Sequence, residues 1–231
     1  MTVRMRAAGN LDPDRRPPPP DAPVVFDCDG ILVDTETCWT RAYNRLFTAH
    51  NRIFTMADKL ALIGRHLDAL SPVLAHLLDR PAGGQRLAAR ACELALEELA
   101  EGAAPMPGAV DLVQELAGRR PLAVASSSPG ALIRHLLEQA GIADAFDVIL
   151  GGGDVDRGKP APDIYLRACE QLGTQPVNAV AIEDSPPGVA AARAAGMHVI
   201  GIPSWPGMRL DAHTIGQSLT DPHIRTALGL R

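Results

Sequence analysis

Short apolar runs recur along the chain, and each run stops abruptly at polar or small residues. The first run is Val24-Val25-Phe26, and Asp27 follows it directly. Runs of this length that are bounded by turn residues predict buried β-strands. The same pattern recurs at 122–125, 148–150, 179–182 and 199–202. The sequence therefore predicts five strands of one sheet.

The segments between the later runs repeat apolar residues at helical spacing. These apolar faces comprise Val110, Val113, Leu116 and Ala117; Leu132, Ile133, Leu136 and Leu137; Ile164, Ala168 and Leu172; and Val189, Ala192 and Ala195. Strands that alternate with helices predict a parallel sheet covered by helices on both faces. We therefore predict an α/β fold with a doubly wound, Rossmann-like parallel sheet. Such folds bind ligands at the carboxyl ends of the strands.

Residues 36–104 break this alternation, because they are strongly helical and contain no convincing strand. Their apolar faces are Trp39, Tyr43, Leu46 and Phe47; Met56, Leu60, Ile63, Leu67 and Leu70, at spacings of 4, 3, 4 and 3; and Leu87, Ala91, Leu94 and Ala95. We predict a helical domain at 36–104 that is inserted into a core formed by 23–35 and 105–231. Prolines and a glycine near 104–108 mark the return hinge. Residues 1–22, with four consecutive prolines, predict a disordered tail.

Composition narrows the classes of function. The chain has 231 residues, 46% of them hydrophobic, and a formal net charge of −5, so no basic surplus favours nucleic acid. No apolar run approaches the roughly 18 residues that span a bilayer, and the first ten residues are too polar for a signal peptide. The four cysteines form no CxxC pair and predict reduced thiols. We expect a cytoplasmic protein without membrane or nucleic-acid partners, and the oligomeric state stays open.

Two carboxylates, Asp27 and Asp29, follow the first predicted strand. Both can face the crevice at the strand end if the chain turns there, which Gly30 permits. Mg²⁺ prefers such oxygen ligands. One carboxylate could bind the metal and attack an electrophile while the other moves a proton. On these two residues alone, a solvated acidic turn stays open.

Three further polar clusters follow predicted strands or precede predicted helices. The serines at 126–128 come at a helix start, where hydroxyl and N–H groups either bind an anion or cap the helix. Lys159 is one of only two lysines in the chain, and two prolines flank its loop. Its ammonium would suit a phosphoryl group or the Asp27 carboxylate, although an ordinary surface lysine stays open. Glu183 and Asp184 could complete a metal shell or cap a helix.

Taken together and in this order, the four clusters resemble the motifs of the haloacid dehalogenase superfamily of aspartate-nucleophile phosphotransferases. The first motif, DxDGxLxDT, runs from Asp27 to Thr35, and the resemblance covers residues 24 to about 202. The helical insertion directly after this motif resembles the branch with a small α-helical cap. That branch contains phosphoglycolate phosphatase-like and β-phosphoglucomutase-like enzymes.

The resemblance implies a role for each matching residue. Asp27 is expected to be the nucleophile that forms an aspartyl-phosphate, and Asp29 to protonate the leaving alcohol and then activate water. The expected Mg²⁺ ligands are Asp27, the Asp29 backbone carbonyl, Asp184 and, supporting or joining the shell, Glu183. The expected phosphoryl-binding residues are Ser126, Ser127 and Lys159. The transition state of phosphoryl transfer needs positioning and charge neutralisation more than further covalent chemistry.

The inserted helical domain is expected to select the substrate. Gly64-Arg65-His66 interrupts a helical pattern, and a loop there could contact the organic part of the substrate. We predict Arg65 as a substrate-binding residue, with a solvated turn as the alternative. The expected partner is a small phosphorylated metabolite, such as a sugar or sugar-acid phosphate.

Two rival functions stay open beside the predicted Mg²⁺-dependent phosphatase. Mutases of this branch tend to have a histidine four residues after the motif threonine, and Trp39 stands there instead. That substitution disfavours a phosphohexose mutase. The second rival is a non-enzymatic phospho-acceptor similar to a receiver domain. A receiver has neither the inserted helices nor a second aspartate placed like Asp29.

Overall fold

The computed structural model describes residues 19–62, 67–205 and 207–230. They form two compact units: a sheet unit, up to Val33 and from Pro105 onward, and a helical unit within Asp34–Ala104. Most of the predicted tail and the predicted loop at 64–66, including Arg65, lie outside the described residues. The last tail residues are ordered against the sheet unit, where Ala22 is buried and Pro20 packs against Gly229.

The sheet unit is built on six parallel strands in the order β3-β2-β1-β4-β5-β6. Their bounds are β1 (Val24–Phe26), β2 (Leu122–Ala125), β3 (Val148–Leu150), β4 (Val180–Glu183), β5 (His198–Gly201) and β6 (Thr214–Ile215). The predicted α/β fold is confirmed, and the first three strands have the predicted bounds. The fourth begins one residue later and the fifth one residue earlier than predicted. Strand β6 was not predicted, because two residues are too few for a readable pattern.

The strand order reverses direction beside β1. From β1 the chain passes to β2 and β3 on one side, and it later places β4, β5 and β6 on the other. In open parallel sheets, ligands bind outside the carboxyl ends of the strands at such a reversal. Asp27 directly follows β1, and Glu183 is the last residue of β4. The topology therefore places these two acids at the expected binding crevice.

The helical unit contains α1 (Thr35–Ala49), α2 (Met56–Leu62), α3 (Leu67–Leu77) and α4 (Gly84–Glu101). The Asp34 carboxylate caps α1 by accepting hydrogen bonds from the Thr37 N–H (3.1 Å) and hydroxyl (2.6 Å). The predicted faces of α1 and α4 are confirmed, since Leu46, Phe47, Ala91 and Leu94 are among the buried residues. The rings of Trp39 and Tyr43 lie 5.7 Å apart.

The predicted apolar face that begins at Met56 is wrong for α2. Met56 and Leu60 are 69% and 65% exposed, whereas Leu62, outside the predicted face, is buried. Helix α2 ends at Leu62 and α3 begins at Leu67, so the predicted face includes residues outside the described part of the chain. Within α2, spacing alone does not show which side of the helix is buried.

The helices of the sheet unit cover both faces of the sheet. They are α5 (Ala109–Leu116), α6 (Gly130–Gln139), α7 (Asp163–Gln171), α8 (Pro186–Ala195) and α9 (Pro222–Ala227), with 3-10 turns at Ala143–Ala145, Gly152–Asp154 and Pro176–Asn178. One buried cluster packs Ile164, Tyr165 and Val189 from α7 and α8 against the sheet strands. No helix in the described part of the chain is long and apolar enough to cross a membrane.

Candidate active site

The Lys159 ammonium joins the carboxylates that follow β1 and end β4. Its Nζ lies 2.9 Å from Asp27 Oδ1 and 2.6 Å from Glu183 Oε1. The three side chains are between 0% and 8% exposed. The structure therefore brings together three residues predicted from the sequence, and of the partners left open for Lys159 it shows the Asp27 carboxylate. Residues 132 positions apart meet because the loop before α7 lies over the strand ends.

A second ion pair brackets the loop that contains Lys159. The Arg157 guanidinium donates to both carboxylate oxygens of Asp163, at 3.0 Å from Nε and 2.9 Å from a terminal nitrogen. Asp163 is the first residue of α7, and Arg157 precedes Lys159 by two residues. The pair thus ties the two ends of the loop together.

The buried charges alter the proton affinities of the site. Burial would lower the pKa of Lys159, but the Asp27 and Glu183 carboxylates outweigh it and hold that pKa well above its usual value. Burial and the Glu183 carboxylate raise the pKa of Asp184 to about 7, against the lowering effect of the Ser204 hydroxyl. The ammonium is therefore charged at neutral pH. Burial and the neighbouring carboxylates also raise the pKa of Asp27, against the lowering effect of Lys159, so the acidic cluster takes up protons more readily than isolated carboxylates do.

The Glu183 carboxylate accepts five hydrogen bonds. Its Oε1 accepts from Lys159 Nζ and from the Tyr165 hydroxyl, each at 2.6 Å. Its Oε2 accepts from the backbone N–H of Asp184 (3.1 Å) and from the Ser185 N–H (3.3 Å) and hydroxyl (3.1 Å). Ser185 is the N-cap of α8, so the negative charge lies at the positive end of that helix.

Asp184 packs over the turn that follows Asp29. Gly30 adopts a φ of +76°, and a Cβ at this position would overlap the Asp184 carboxylate. The predicted turn at Gly30 is therefore present, and it also gives Asp184 room. The Ser204 hydroxyl, in the segment after β5, forms a short hydrogen bond to Asp184 Oδ2.

Asp29 is held by two serines. Its Oδ2 accepts from the hydroxyl of Ser126 at 2.8 Å and from that of Ser128 at 2.9 Å. Ser126 Oγ also accepts from the Ser128 N–H at 3.0 Å. The structure thus brings the predicted phosphoryl-binding Ser126 against the predicted proton-transfer residue, whereas the side chain of Ser127 is exposed.

A divalent cation fits the donor set of this site. One carboxylate oxygen each from Asp27, Glu183 and Asp184 lies within 4.8 Å of the others, and all three residues are buried. Among the described residues, Lys159 supplies the ammonium that pairs with this cluster, and an uncompensated buried charge is costly. Hard oxygen donors of this kind suit Mg²⁺ or a related ion.

Sequence reasoning assigned no role to four polar residues that contact the predicted site. They are Ser128, Tyr165, Ser185 and Ser204. Ser128 was the last of three consecutive serines, so position alone did not distinguish its contact from those of its neighbours. Tyr165 is a polar residue next to the apolar face of α7, and that location was an available signal for a buried hydroxyl with a partner.

Comparison with known proteins supports a phosphatase activity. A model of the haloacid dehalogenase-like hydrolases matches residues 24–196. Fructose-1-phosphate phosphatase YqaB of Escherichia coli is 31% identical over 181 residues, which cover 78% of this chain and 96% of that protein. The phosphorylated carbohydrates phosphatase of Thermotoga maritima is 31% identical over 178 residues, or 77% of this chain and 82% of that protein.

A solved structure of a related protein has a similar fold. A haloacid dehalogenase family hydrolase from Deinococcus radiodurans, with bound phosphate and sodium, has 26% sequence identity and a TM-score of 0.73. The match covers 91% of this chain and 96% of that one. With the motif residues assembled at the strand ends and the family model matching most of the chain, the protein belongs to the haloacid dehalogenase-like hydrolases.

Proposed function

We propose that this phosphatase hydrolyses small sugar or sugar-acid phosphates with Mg²⁺, through an aspartyl-phosphate on Asp27. The observation that carries the proposal is the buried Asp27 carboxylate at the reversal of strand order, with the Lys159 ammonium 2.9 Å from one of its oxygens. Related proteins named as phosphatases of fructose 1-phosphate and of phosphorylated carbohydrates support the substrate class.

In the proposed first step, an Asp27 carboxylate oxygen attacks phosphorus. Lys159 holds Oδ1, so we assign the attack to Oδ2. The new bond joins Asp27 to phosphorus, and the bond from phosphorus to the substrate oxygen breaks. Asp29 supplies the proton that this oxygen takes up as it leaves as an alcohol.

In the second step, Asp29 removes a proton from water, and the water oxygen attacks the same phosphorus. The bond from Asp27 to phosphorus breaks, which regenerates the carboxylate and releases inorganic phosphate. Ser126 and Ser128 support this role, because their hydroxyls hold the Asp29 carboxylate at 2.8 and 2.9 Å. A fixed orientation favours proton transfer in both steps.

Lys159 is assigned to the phosphoryl group as well as to Asp27. An ammonium has three N–H donors. Among the described residues, two of them reach Asp27 and Glu183, which leaves one for a phosphoryl oxygen. We assign a further phosphoryl contact to the Ser127 N–H. The Ser126 hydroxyl has one O–H, which donates to Asp29 in this structure, so its predicted phosphoryl contact requires it to exchange Asp29 for the phosphoryl oxygen. Together these groups place positive charge and hydrogen-bond donors beside the Asp27 carboxylate, where they would stabilise the charge of the phosphoryl group.

We assign the cation to the carboxylates of Asp27 and Asp184 and to the Asp29 backbone carbonyl. When bound, Mg²⁺ supplies positive charge that offsets the repulsion between an anionic substrate and the acidic cluster. The helical unit is proposed to act as the cap that selects the substrate. Arg65 as a substrate-binding residue and a cytoplasmic location stay predictions.

The proposal is tested by following free phosphate and isomerised sugar phosphates together. The purified protein is incubated with p-nitrophenyl phosphate and with fructose, glucose and ribose phosphates, with Mg²⁺ or with EDTA. We expect phosphate release that requires the cation. Isomers that form faster than phosphate would establish a mutase, and no turnover of any substrate would overturn the proposal.

A further inference from the structure

We infer that Tyr165 is a positioning residue that holds Glu183 on Lys159, so that Glu183 serves as the counter-ion of the ammonium rather than as a ligand of the cation. The inference rests on the proposed phosphatase function and deepens it. It also revises the expectation that Glu183 joins the metal shell.

Tyr165 contacts both members of the Lys159–Glu183 pair. Its hydroxyl donates to Glu183 Oε1 at 2.6 Å, and this is the oxygen that Lys159 Nζ also reaches at 2.6 Å. The ammonium lies 5.2 Å from the centre of the Tyr165 ring. Tyr165 is fully buried on the first turn of α7, six residues after Lys159. One segment of chain therefore provides both the cation and the hydroxyl that orients its counter-ion.

Glu183 lies in the carboxylate cluster that could hold a cation, but its hydrogen bonds already occupy its acceptor sites. An ionised carboxylate offers about four lone-pair sites. In this structure five donors already share them: two on Oε1 and three on Oε2. A cation that bound Glu183 directly would have to displace Lys159, the phenol or the first turn of α8.

Packing against α8 prevents Glu183 from turning away. A Cβ at Gly188 would overlap the Glu183 carboxylate, so this glycine leaves the space that the carboxylate fills. The Ser185 N–H and hydroxyl fix Oε2 from the same helix end. Of the five donors, the hydroxyls of Tyr165 and Ser185 can be removed without altering the backbone or a charge. Ser185 also caps α8 by accepting from the Gly188 N–H, so removal of the Tyr165 hydroxyl gives the cleaner test.

Loss of this hydroxyl should act on Lys159 and not on the cation. Oε1 would keep the ammonium as its donor but lose the bond that fixes its direction. The ammonium would then shift between Glu183 and Asp27, and its third N–H would bind a phosphoryl oxygen less well. Hydrogen bonds to charged groups in buried sites are among the stronger ones, so the effect should be measurable.

The test compares Tyr165→Phe with Tyr43→Phe. The second variant removes the hydroxyl of a buried tyrosine in the helical unit, whose ring packs against Trp39 and Phe54. For each protein, turnover of p-nitrophenyl phosphate is measured with Mg²⁺. Binding of inorganic phosphate is measured by calorimetry, and binding of Mn²⁺ by electron paramagnetic resonance. Melting temperature is recorded alongside.

We expect Tyr165→Phe to lower kcat/KM by about tenfold and to weaken phosphate binding by a similar factor. Mn²⁺ affinity should stay within twofold of wild type, and Tyr43→Phe should match wild type in all three measurements. A Tyr165→Phe protein with wild-type kcat/KM and phosphate affinity would overturn the inference. So would a several-fold change in Mn²⁺ affinity, because Glu183 would then belong to the metal.

A general loss of structure would also count against the inference. If Tyr165→Phe lowered the melting temperature strongly and weakened phosphate and Mn²⁺ binding together, Tyr165 would be a structural residue only. Failure of the proposed function is distinguishable, because wild-type protein would then show no phosphatase activity. The ratios of phosphate and Mn²⁺ affinity between variant and wild type do not depend on that outcome.

Discussion

The ion pairs of the candidate active site and those on the surface of the helical unit lie in opposite environments. In the sheet unit, the Lys159 pairs with Asp27 and Glu183 have side chains that are 0% to 8% exposed. In the helical unit, the Arg45–Glu97 pair that links α1 to α4 has side chains 45% and 48% exposed. Exposed ion pairs contribute little to stability, whereas buried charges are costly unless they are paired and hydrogen-bonded.

This difference distinguishes the buried charges of the candidate active site, which can take part in a reaction, from the exposed charges of the helical unit, which interact with water. The helical unit is held by apolar and aromatic packing, as between Phe47 and Phe54 at 5.0 Å. The sheet unit instead buries four acids or bases where its strands end, together with the hydroxyl and N–H groups that satisfy them. Perturbed, buried titratable groups in a cleft indicate function. Four predictions test this contrast.

The largest effect is expected from Asp27→Asn. The amide keeps the shape of the side chain but cannot attack phosphorus as a carboxylate does. We expect kcat to fall by at least about 10³-fold, the scale seen when a covalent nucleophile is lost. Steady-state turnover of p-nitrophenyl phosphate measures it. A variant that kept more than about a tenth of wild-type turnover would exclude Asp27 as the nucleophile.

Gly30→Ala should disrupt the cation site. The φ of +76° disfavours an L side chain, and the new Cβ would overlap the Asp184 carboxylate. We expect Mn²⁺ affinity to fall by about tenfold or more, as for displacement of one ligand. Gly153→Ala is the matched control, because a Cβ there meets nothing within 4 Å. Equal Mn²⁺ affinities for the two variants would show that Asp184 holds no cation.

The pH dependence of stability should depend on whether the cation is bound. The pKa of Asp184 is about 7 in the folded protein, against about 3.9 for an unfolded aspartate. The folded state therefore binds more protons between these values, so this group's contribution to stability is lost as pH rises through 7. In EDTA, we expect the melting temperature to fall from pH 5 to pH 8, and Mg²⁺ to raise it by several degrees at pH 8.

The variant Asp184→Asn is the control for this prediction, because its side chain does not titrate. The fall in melting temperature between pH 5 and pH 8 should be smaller than in wild type, and the rise on adding Mg²⁺ should be lost. If wild type and variant gave parallel curves, Asp184 would not be the group responsible.

The smallest effect is expected from Arg45→Gln in the helical unit. Arg45 loses its pairs with Glu97 and Glu98, which lie 2.6 and 2.9 Å away on the protein surface. Because water screens such pairs, the melting temperature should change by less than about 2 °C and kcat/KM by less than about twofold. Thermal melting and turnover check this, and a loss of kcat/KM of about tenfold or more would remove the contrast between the units.

The strand ends could be predicted because the apolar runs stop directly before acidic residues of the candidate site. Asp27 follows Phe26 and Asp184 follows the β4 strand, so period and boundary alone placed both acids at one edge of the sheet. The Lys159–Asp27 pair was one of the alternatives that charge left open. Its distance in sequence, 132 residues, shows how much the parallel topology contributes.

The choice of partner could not be predicted, because it depends on tertiary packing. A side-chain rotation decides whether Ser126 faces a phosphoryl group or Asp29, and whether Glu183 faces a cation or Tyr165. Such a rotation leaves the sequence pattern unchanged. The exposed Met56 gives the same lesson in the helical unit. Spacing identified a helix there, but the neighbouring elements decided which face is buried.

The central claim is that Asp27 becomes covalently phosphorylated, and chemical trapping tests it most directly. Asp29→Asn should slow water activation, so that the phosphorylated enzyme accumulates after mixing with p-nitrophenyl phosphate and Mg²⁺. Acid quenching followed by borohydride reduction converts an aspartyl-phosphate to homoserine, which peptide mass spectrometry locates. We predict homoserine at position 27, at a level that follows the burst of p-nitrophenol. A burst of p-nitrophenol with unmodified Asp27 would contradict the account.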